Sequence, residues 1–330
     1  MKQFAHYHAS SVAEACSLLA RYEGRTKVIA GGSDLVTVLR ADILPSYPEA
    51  VINLKSVPGL DDIRGEEAYL CIGAMTTLDT LGKSEVICRK YPALAQAARA
   101  VASPQIRNVG TLGGNLCQDT RCWYYRYPDR LGGGSVECPR KGKGGCLAPR
   151  GDHRYHAIMG VKGCFAVCPS DTAVALTALK AEIVISGAET ERCIPIDEFF
   201  HPMGNVLKND EIVREIRIPT KNAGCSQSFI KHAQREAIDF AIASAAAVLT
   251  VTDGVVTAAA LALGAVAPTP VNAKEAADRL VGRPISEAVL NEVADAALAG
   301  ARPMKQNRYK VSLCKNLLKR AIIEAAKAAE

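Results

Sequence analysis

Six of the chain's twelve cysteines, Cys117, Cys122, Cys138, Cys146, Cys164 and Cys168, fall in one glycine-rich, basic stretch without helical or strand periodicity. Thiolates gathered this way can hold an iron-sulfur cluster, and glycine lets backbone amides come close to the sulfurs. Taking Cys122, Cys138, Cys146 and Cys164 as ligands gives C-x15-C-x7-C-x17-C, which is no ferredoxin signature. Zinc is equally open, although it favours close pairs, and only Cys164-Phe165-Ala166-Val167-Cys168 has that spacing. Buried free thiols are the third reading. The scattered Cys16, Cys71, Cys88, Cys193, Cys225 and Cys314 read as small buried hydrophobes.

Two glycine turns could hold phosphate. Ala30-Gly31-Gly32-Ser33-Asp34-Leu35 has neither the G-x-G-x-x-G of a dinucleotide turn nor the Gly-Lys-Ser/Thr of a P-loop. Its glycines still permit unusual φ and close backbone approach, and Ser33 with neighbouring amides can donate to phosphate oxygens. A branched side chain at Gly32 would block that approach. The second turn runs from Ile106 to Asn115 and pairs Gly113-Gly114 with Thr111 and Asn115. One turn could serve each end of a diphosphate; either could instead simply join a strand to a helix.

The elements that must position these turns alternate in type. A strand is expected over 27–30, a helix over 34–41, strands over 50–54 and 69–74, and helices over 77–84 and 92–102. An insertion without regular structure spans about 122–164. A helix over 171–180 and strands over 181–186, 191–196 and 211–218 follow, the last stopped by Pro219. That proline suggests domains of 1–220 and 221–330. The second domain holds a strand over 226–232, a hairpin over 242–266 turning at Asp253-Gly254, and helices over 272–281, 286–299 and 308–328. In the last helix Val311, Leu313, Leu317, Leu318, Ile322 and Ile323 form the expected packing face.

With 330 residues and 48% hydrophobic content, the chain can bury two cores. Its formal charge is +6, but residues 121–162 alone hold nine Lys/Arg against three Asp/Glu, so the remainder is nearly neutral. Aromatics make up only 5%, which argues against a nucleic-acid surface. No run resembles a signal peptide or a membrane span, so a cytoplasmic location is expected. In a reducing compartment, clustered cysteines favour metal or redox roles over disulfides.

The two turns together with Ser170-Asp171 resemble the FAD-binding medium subunit of the molybdenum hydroxylases, the xanthine dehydrogenase family, over nearly the whole chain. The resemblance implies an α+β fold: a vanillyl-alcohol-oxidase-type (PCMH) FAD domain with an iron-sulfur loop insertion, then a smaller α+β domain like the CO dehydrogenase flavoprotein C-terminal domain, with a three-stranded sheet plus helices. It implies that Val28, Ile29, Ala30, Gly31, Gly32, Ser33, Asp34 and Leu35 wrap the FAD diphosphate, and that Thr111, Gly114, Asn115 and Gln118 continue the cradle. Asp171 would hydrogen-bond the flavin side, Val213 would pack on the ring, and Lys231 would bring a cation near it, where it would favour a reduced, anionic flavin.

Some members of this family carry a [4Fe-4S] insertion, which implies Cys122, Cys138, Cys146 and Cys164 as ligands, with Cys168 the alternative to Cys164. The segment from Asn115 to Tyr125 looks like the 4-hydroxybenzoyl-CoA reductase type, and Arg154 to Gly160 like the aldehyde oxidoreductase type. Implied partners are a molybdopterin-binding large subunit, a [2Fe-2S] small subunit and an external carrier such as ferredoxin, with no catalytic residue on this chain. The competing readings are the FAD subunit of an aldehyde or N-heterocycle (xanthine-type) dehydrogenase, a stand-alone FAD reductase or oxidase, and, more remotely, a zinc-stabilised nucleic-acid module.

Overall fold

The computed structural model describes residues 1–327. Strand β1 (Ala5–His8) leads into α1 (Val12–Arg21), which Ser11 caps, and then come β2 (Thr26–Ile29), α2 (Leu35–Ala41) and β3 (Ala50–Asn53). These strands form a parallel sheet in the order β1-β3-β2, with the fully buried β3 in the middle. Both β1 and α1 precede the first element expected from the sequence.

Strands β4 (Ile63–Gly65) and β5 (Tyr69–Gly73) open a second sheet, followed by α3 (Leu78–Lys83), α4 (Glu85–Lys90), α5 (Pro92–Ala100), α6 (Pro104–Arg107) and α7 (Leu112–Cys117). After the cysteine segment, with its single helical turn α8 (Trp123–Arg126), come α9 (Asp171–Ala178), β6 (Glu182–Ser186), β7 (Glu191–Pro195), α10 (Ile196–Phe199), the small hairpin β8 (Phe200–His201) and β9 (Gly204–Asn205), and β10 (Ile212–Pro219). The second sheet has the order β4-β5-β10-β6-β7, so the chain returns after some 140 residues to place β10 at its centre. The eight residues of α9 are all buried, which explains why its Ala/Thr/Val sequence has no polar face.

The remaining chain forms β11 (Ser226–His232), β12 (Ala243–Thr252), β13 (Val255–Gly264), β14 (Val271–Asn272), α11 (Lys274–Leu280), α12 (Glu287–Ala297) and α13 (Tyr309–Lys327). The sheet is antiparallel in the order β11-β12-β13-β14, so a two-residue fourth strand joins the three expected. Asp253 and Gly254 both adopt positive φ, +49° and +75°, as a tight hairpin with right-handed twist requires. Residues 243–249 of β12 are buried throughout because α9 lies on one side and α13 on the other. Small alanines let both helices approach closely, and at Gly264 a Cβ would strike Ser244 and Val174.

Helix α13 docks through Cys314, Leu317, Leu318, Ala321, Ile322 and Ala325, spaced three and four apart. Val311, Leu313 and Ile323 only flank that face, which corrects the stripe expected from the sequence: alanines and a cysteine do part of the work assigned to larger side chains. Burying this face contributes on the order of 1.5–3 kcal/mol per large side chain.

Across the seam between the two halves, Lys231 on β11 pairs with Asp171 at the start of α9 at 2.7 Å and donates to the Ala100 carbonyl at 2.8 Å. Both side chains are almost wholly buried. Burial raises the Asp171 carboxyl above its ordinary value while Lys231 pulls it back down. Removing one partner leaves an uncompensated buried charge. Lys231→Met should therefore cost about 3–5 kcal/mol in urea unfolding, and adding Asp171→Leu should recover part of the loss.

Candidate functional site

The two glycine turns meet. Gly31 lies so close to Val109 that a Cβ there would land inside the van der Waals envelope of the Val109 carbonyl. Gly32 has φ +75°, in the left-handed region, and a Cβ there would sit 3.2 Å from Ile29 Cδ1. The contact that forbids a side chain is thus at Gly31, while Gly32 serves the turn itself. The second turn is anchored from behind. Leu78 N–H donates to the Gly110 carbonyl at 2.8 Å, Leu112 N–H to Thr76 at 2.9 Å and Gly113 N–H to Ala74 at 2.8 Å. Thr111 Oγ1 caps α7 by accepting from Gly114 N–H at 3.1 Å.

Between the turns opens a cleft of about 600 Å³, within the range of about 300–1,000 Å³ typical of cofactor sites. It is lined by Val28, Ala30, Gly31, Gly32, Ser33, Asp34, Leu35, Thr111, Gly114, Asn115, Gln118 and Val213. Ile29, Asp171 and Lys231 do not line it: Ile29 packs behind the turn, and the other two are consumed by their mutual ion pair. The structure therefore gives Lys231 and Asp171 a place in the seam beneath the cleft.

Asp34 was expected near the start of α2, yet it makes no capping bond. Its Oδ2 accepts from the Asp119 N–H at 2.8 Å, and its Oδ1 pairs with Arg126 at 2.7 Å and Arg121 at 2.9 Å. Two guanidiniums repay the missing cap and bolt the first turn to the segment that opens the cysteine loop. Arg121 is a lining residue that the sequence did not single out. Its guanidinium lies 4.4 Å from the Phe240 ring centre, and burial pushes it down to about 10. Ile238 and Phe240 also line the cleft, and Ile238 holds φ +71°, strained for a β-branched residue. No sequence signal marks such a backbone state.

The insertion leaves and rejoins the fold at neighbouring points, since Thr120 Oγ1 donates to the Val167 carbonyl at 3.2 Å. It is not wholly irregular: besides α8 it contains 3-10 turns at Asp129–Leu131, Gly133–Ser135, Pro139–Lys141 and Ala148–Arg150. Burial pushes the Cys122 thiol up to about 11, with Cys138 and Cys164 adding to the rise. Burial likewise raises Cys138, which also senses Cys164 and Cys146. Cys168, raised to about 12 by burial, senses Asp171 and Arg140 but none of the other thiols. Cys122, Cys138, Cys146 and Cys164 thus influence one another's ionisation, while Cys117 and Cys168 line a polar cavity of about 260 Å³ that Arg140 also borders.

Two side-chain nitrogens adjoin these sulfurs. His156 Nε2 lies 3.2 Å from Cys122 Sγ, and Arg140 Nε donates to Cys164 Sγ at 3.4 Å. Among the described residues no group of three or more His, Cys, Asp or Glu side chains is placed to hold a metal ion.

Comparison with known proteins supports the FAD-binding reading of the cleft. Residues 2–221 match the family described as the FAD binding domain in molybdopterin dehydrogenase, and residues 228–325 match the CO dehydrogenase flavoprotein C-terminal domain. The chain belongs to the family of FAD-binding subunits of the molybdenum hydroxylases, oxidoreductase complexes. It is 33% identical to the aldehyde oxidoreductase FAD-binding subunit PaoB of Escherichia coli K12, over 98% of this chain and 99% of that one. It is 29% identical to the carbon monoxide dehydrogenase medium chain of Hydrogenophaga pseudoflava, over 96% and 95%. The solved structure of that carbon monoxide dehydrogenase superposes with a TM-score of 0.79 at 27% identity, over 99% and 98% of the two chains.

Gly31→Ala should force the two turns apart and abolish flavin retention. Gly32→Ala should retain flavin and cost on the order of 1 kcal/mol from left-handed strain. Flavin absorbance after gel filtration and thermal unfolding separate the two outcomes.

Proposed function

We propose that this chain is the electron-transfer subunit of a heteromeric molybdenum-dependent complex, with an FAD domain over 1–220, a second domain over 221–330 and a [4Fe-4S] cluster in the insertion. Its partners would be a molybdopterin-binding large subunit and a [2Fe-2S] small subunit, with an external carrier such as ferredoxin completing the path. The likeness to an aldehyde oxidoreductase FAD subunit over essentially the full length of both chains favours a complex that oxidises its substrate. The reductive, 4-hydroxybenzoyl-CoA reductase-like reading rests on the segment from Asn115 to Tyr125 alone.

The cluster reading is supported by four cysteines of one loop, Cys122, Cys138, Cys146 and Cys164, whose thiols influence one another's ionisation. Cys164 is accordingly the fourth ligand in preference to Cys168. Cys122, Cys138, Cys146 and Cys164 would hold the cluster, and Arg140 and His156 would donate to its sulfurs. Burial pushes the His156 imidazole down to about 4, so near neutrality it is uncharged. Bound FAD supplies one- and two-electron chemistry that links pair and single-electron carriers. This chain's own contribution is to hold the diphosphate between the glycine turns, to cover the cleft with Ile238 and Phe240, and to keep the thiols fixed beside it.

Anaerobic purification of the complex tests this assignment. Cys138→Ser should remove four iron atoms per chain and leave FAD in place, whereas Cys117→Ser and Cys168→Ser should change neither. Stoichiometric zinc in place of that iron would refute the cluster.

A further inference from the structure

The start of α9 holds three side chains that point in two directions. Asp171 turns to Lys231, while its neighbours Ser170 and Thr172 both turn to Asn115 on α7. Ser170 Oγ donates to Asn115 Oδ1 at 2.6 Å, and Thr172 Oγ1 donates to the same oxygen at 2.6 Å. All three residues are buried: Asn115 is 7% exposed, Ser170 2% and Thr172 0%. Ser170 Oγ also accepts from the Ala173 N–H at 3.1 Å as the cap of α9, so its own proton is left for Asn115.

A carboxamide oxygen has two acceptor positions, and here two hydroxyls fill both. Apart from each other at 3.4 Å, these hydroxyls have no other acceptor among the described residues. Turning the amide over would therefore strand their protons in a buried site, which costs about 1–3 kcal/mol per group. The Asn115 amide is thus held with its NH2 group away from the hydroxyls, and Asn115 lines the cleft.

The opposite walls make a donor useful there. The cleft is lined by three carboxylates, and each is already engaged. Asp34 is taken by Arg121 and Arg126, Asp119 accepts from the Tyr125 hydroxyl at 2.7 Å, and Glu211 pairs with Arg192 at 2.8 Å. A ligand with anionic or carbonyl oxygens consequently meets donors in place of free carboxylates.

We infer that Ser170 and Thr172 are positioning residues that lock the Asn115 amide as a donor to an acceptor oxygen of the bound FAD. The inference rests on the chain's membership of the FAD-binding family. It also gives the tripeptide 170–172 a second task, because the Asp171–Lys231 pair pins to the other half of the molecule the same turn that orients Asn115.

The test uses the full-length chain stripped of flavin and titrated with FAD, together with thermal unfolding of each apo form. Thr172→Val, which keeps the shape and loses the hydroxyl, should raise the FAD Kd about fivefold to tenfold, the worth of roughly one hydrogen bond. Thr172→Ser should restore wild-type affinity. Asn115→Asp still accepts from both hydroxyls but cannot donate when ionised, so it should weaken FAD binding more than tenfold without lowering the apo Tm. If Thr172→Val itself melts early, Asn115→Asp still reports on the donor. Wild-type FAD affinity in both Thr172→Val and Asn115→Asp overturns the inference, as does a loss of Tm with unchanged Kd. A wild-type chain that takes up no FAD sinks the cofactor reading and this inference together.

Discussion

The cleft exists because two stretches of backbone touch where no side chain intervenes. Gly31 and the Val109 carbonyl approach more closely than any Cβ would allow, and everything that faces a ligand is arranged around that contact. The first turn follows a strand of the small parallel sheet, and the second is hydrogen-bonded to residues 74–78 behind it. Neither sheet alone makes a cradle. Bringing the turns together does, and Asp34 then fastens the assembly by drawing Arg121, Arg126 and the Asp119 amide onto one carboxylate. A half-buried carboxylate with three charge-assisted partners is worth far more than an exposed pair, because few of its lone pairs are left to water.

That node also decides where the cysteine loop can stand. A long insertion is thermodynamically cheap when its ends lie close together, since closure entropy grows only with the logarithm of length. Here Thr120 and Val167 are hydrogen-bonded across the neck. The loop buds from the FAD domain without disturbing it, and Arg140 folds back to the Pro202 and Met203 carbonyls at 2.9 and 3.1 Å. The nine basic residues of the stretch 121–162 divide into two sets. Arg121, Arg126, Arg140 and Lys141 are drawn inward to carboxylates and carbonyls, whereas Arg130, Lys143, Arg150, Arg154 and Lys162 stay at the surface.

What the sequence made legible was local. The strand over Ser226–His232 and the hairpin at Asp253-Gly254 could be placed because their period and turn chemistry are written in adjacent residues. The Gly-Gly turns were visible for the same reason. What stayed hidden depends on residues far apart in the chain. Gly31 is the strict position only because Val109 is its neighbour in space, and Lys231 is paired because Asp171, 60 residues away, lies beside it. The amphipathic face of α13 was misread for a related reason: a strand of alanines selects small residues on the helix that covers it, so hydrophobic size was a poor guide to burial.

The far side of the cysteine loop is held by a different physical device. Lys310 is fully buried on α13 and donates to the Tyr155, His156 and Ala265 carbonyls, and burial pushes its ammonium down to about 8. Asn307 gives both amide protons to the His156 and Ala157 carbonyls, and His153 and Gln306 exchange bonds through ring and backbone. Carbonyls that a loop would ordinarily turn to water are satisfied by the C-terminal helix instead. A loop gripped at its neck by the FAD domain and at residues 153–158 by the C-terminal domain has little freedom to move its thiols relative to the cleft. In this chain the fixed placement of the loop relative to the cleft comes from buried polar bonds more than from secondary structure.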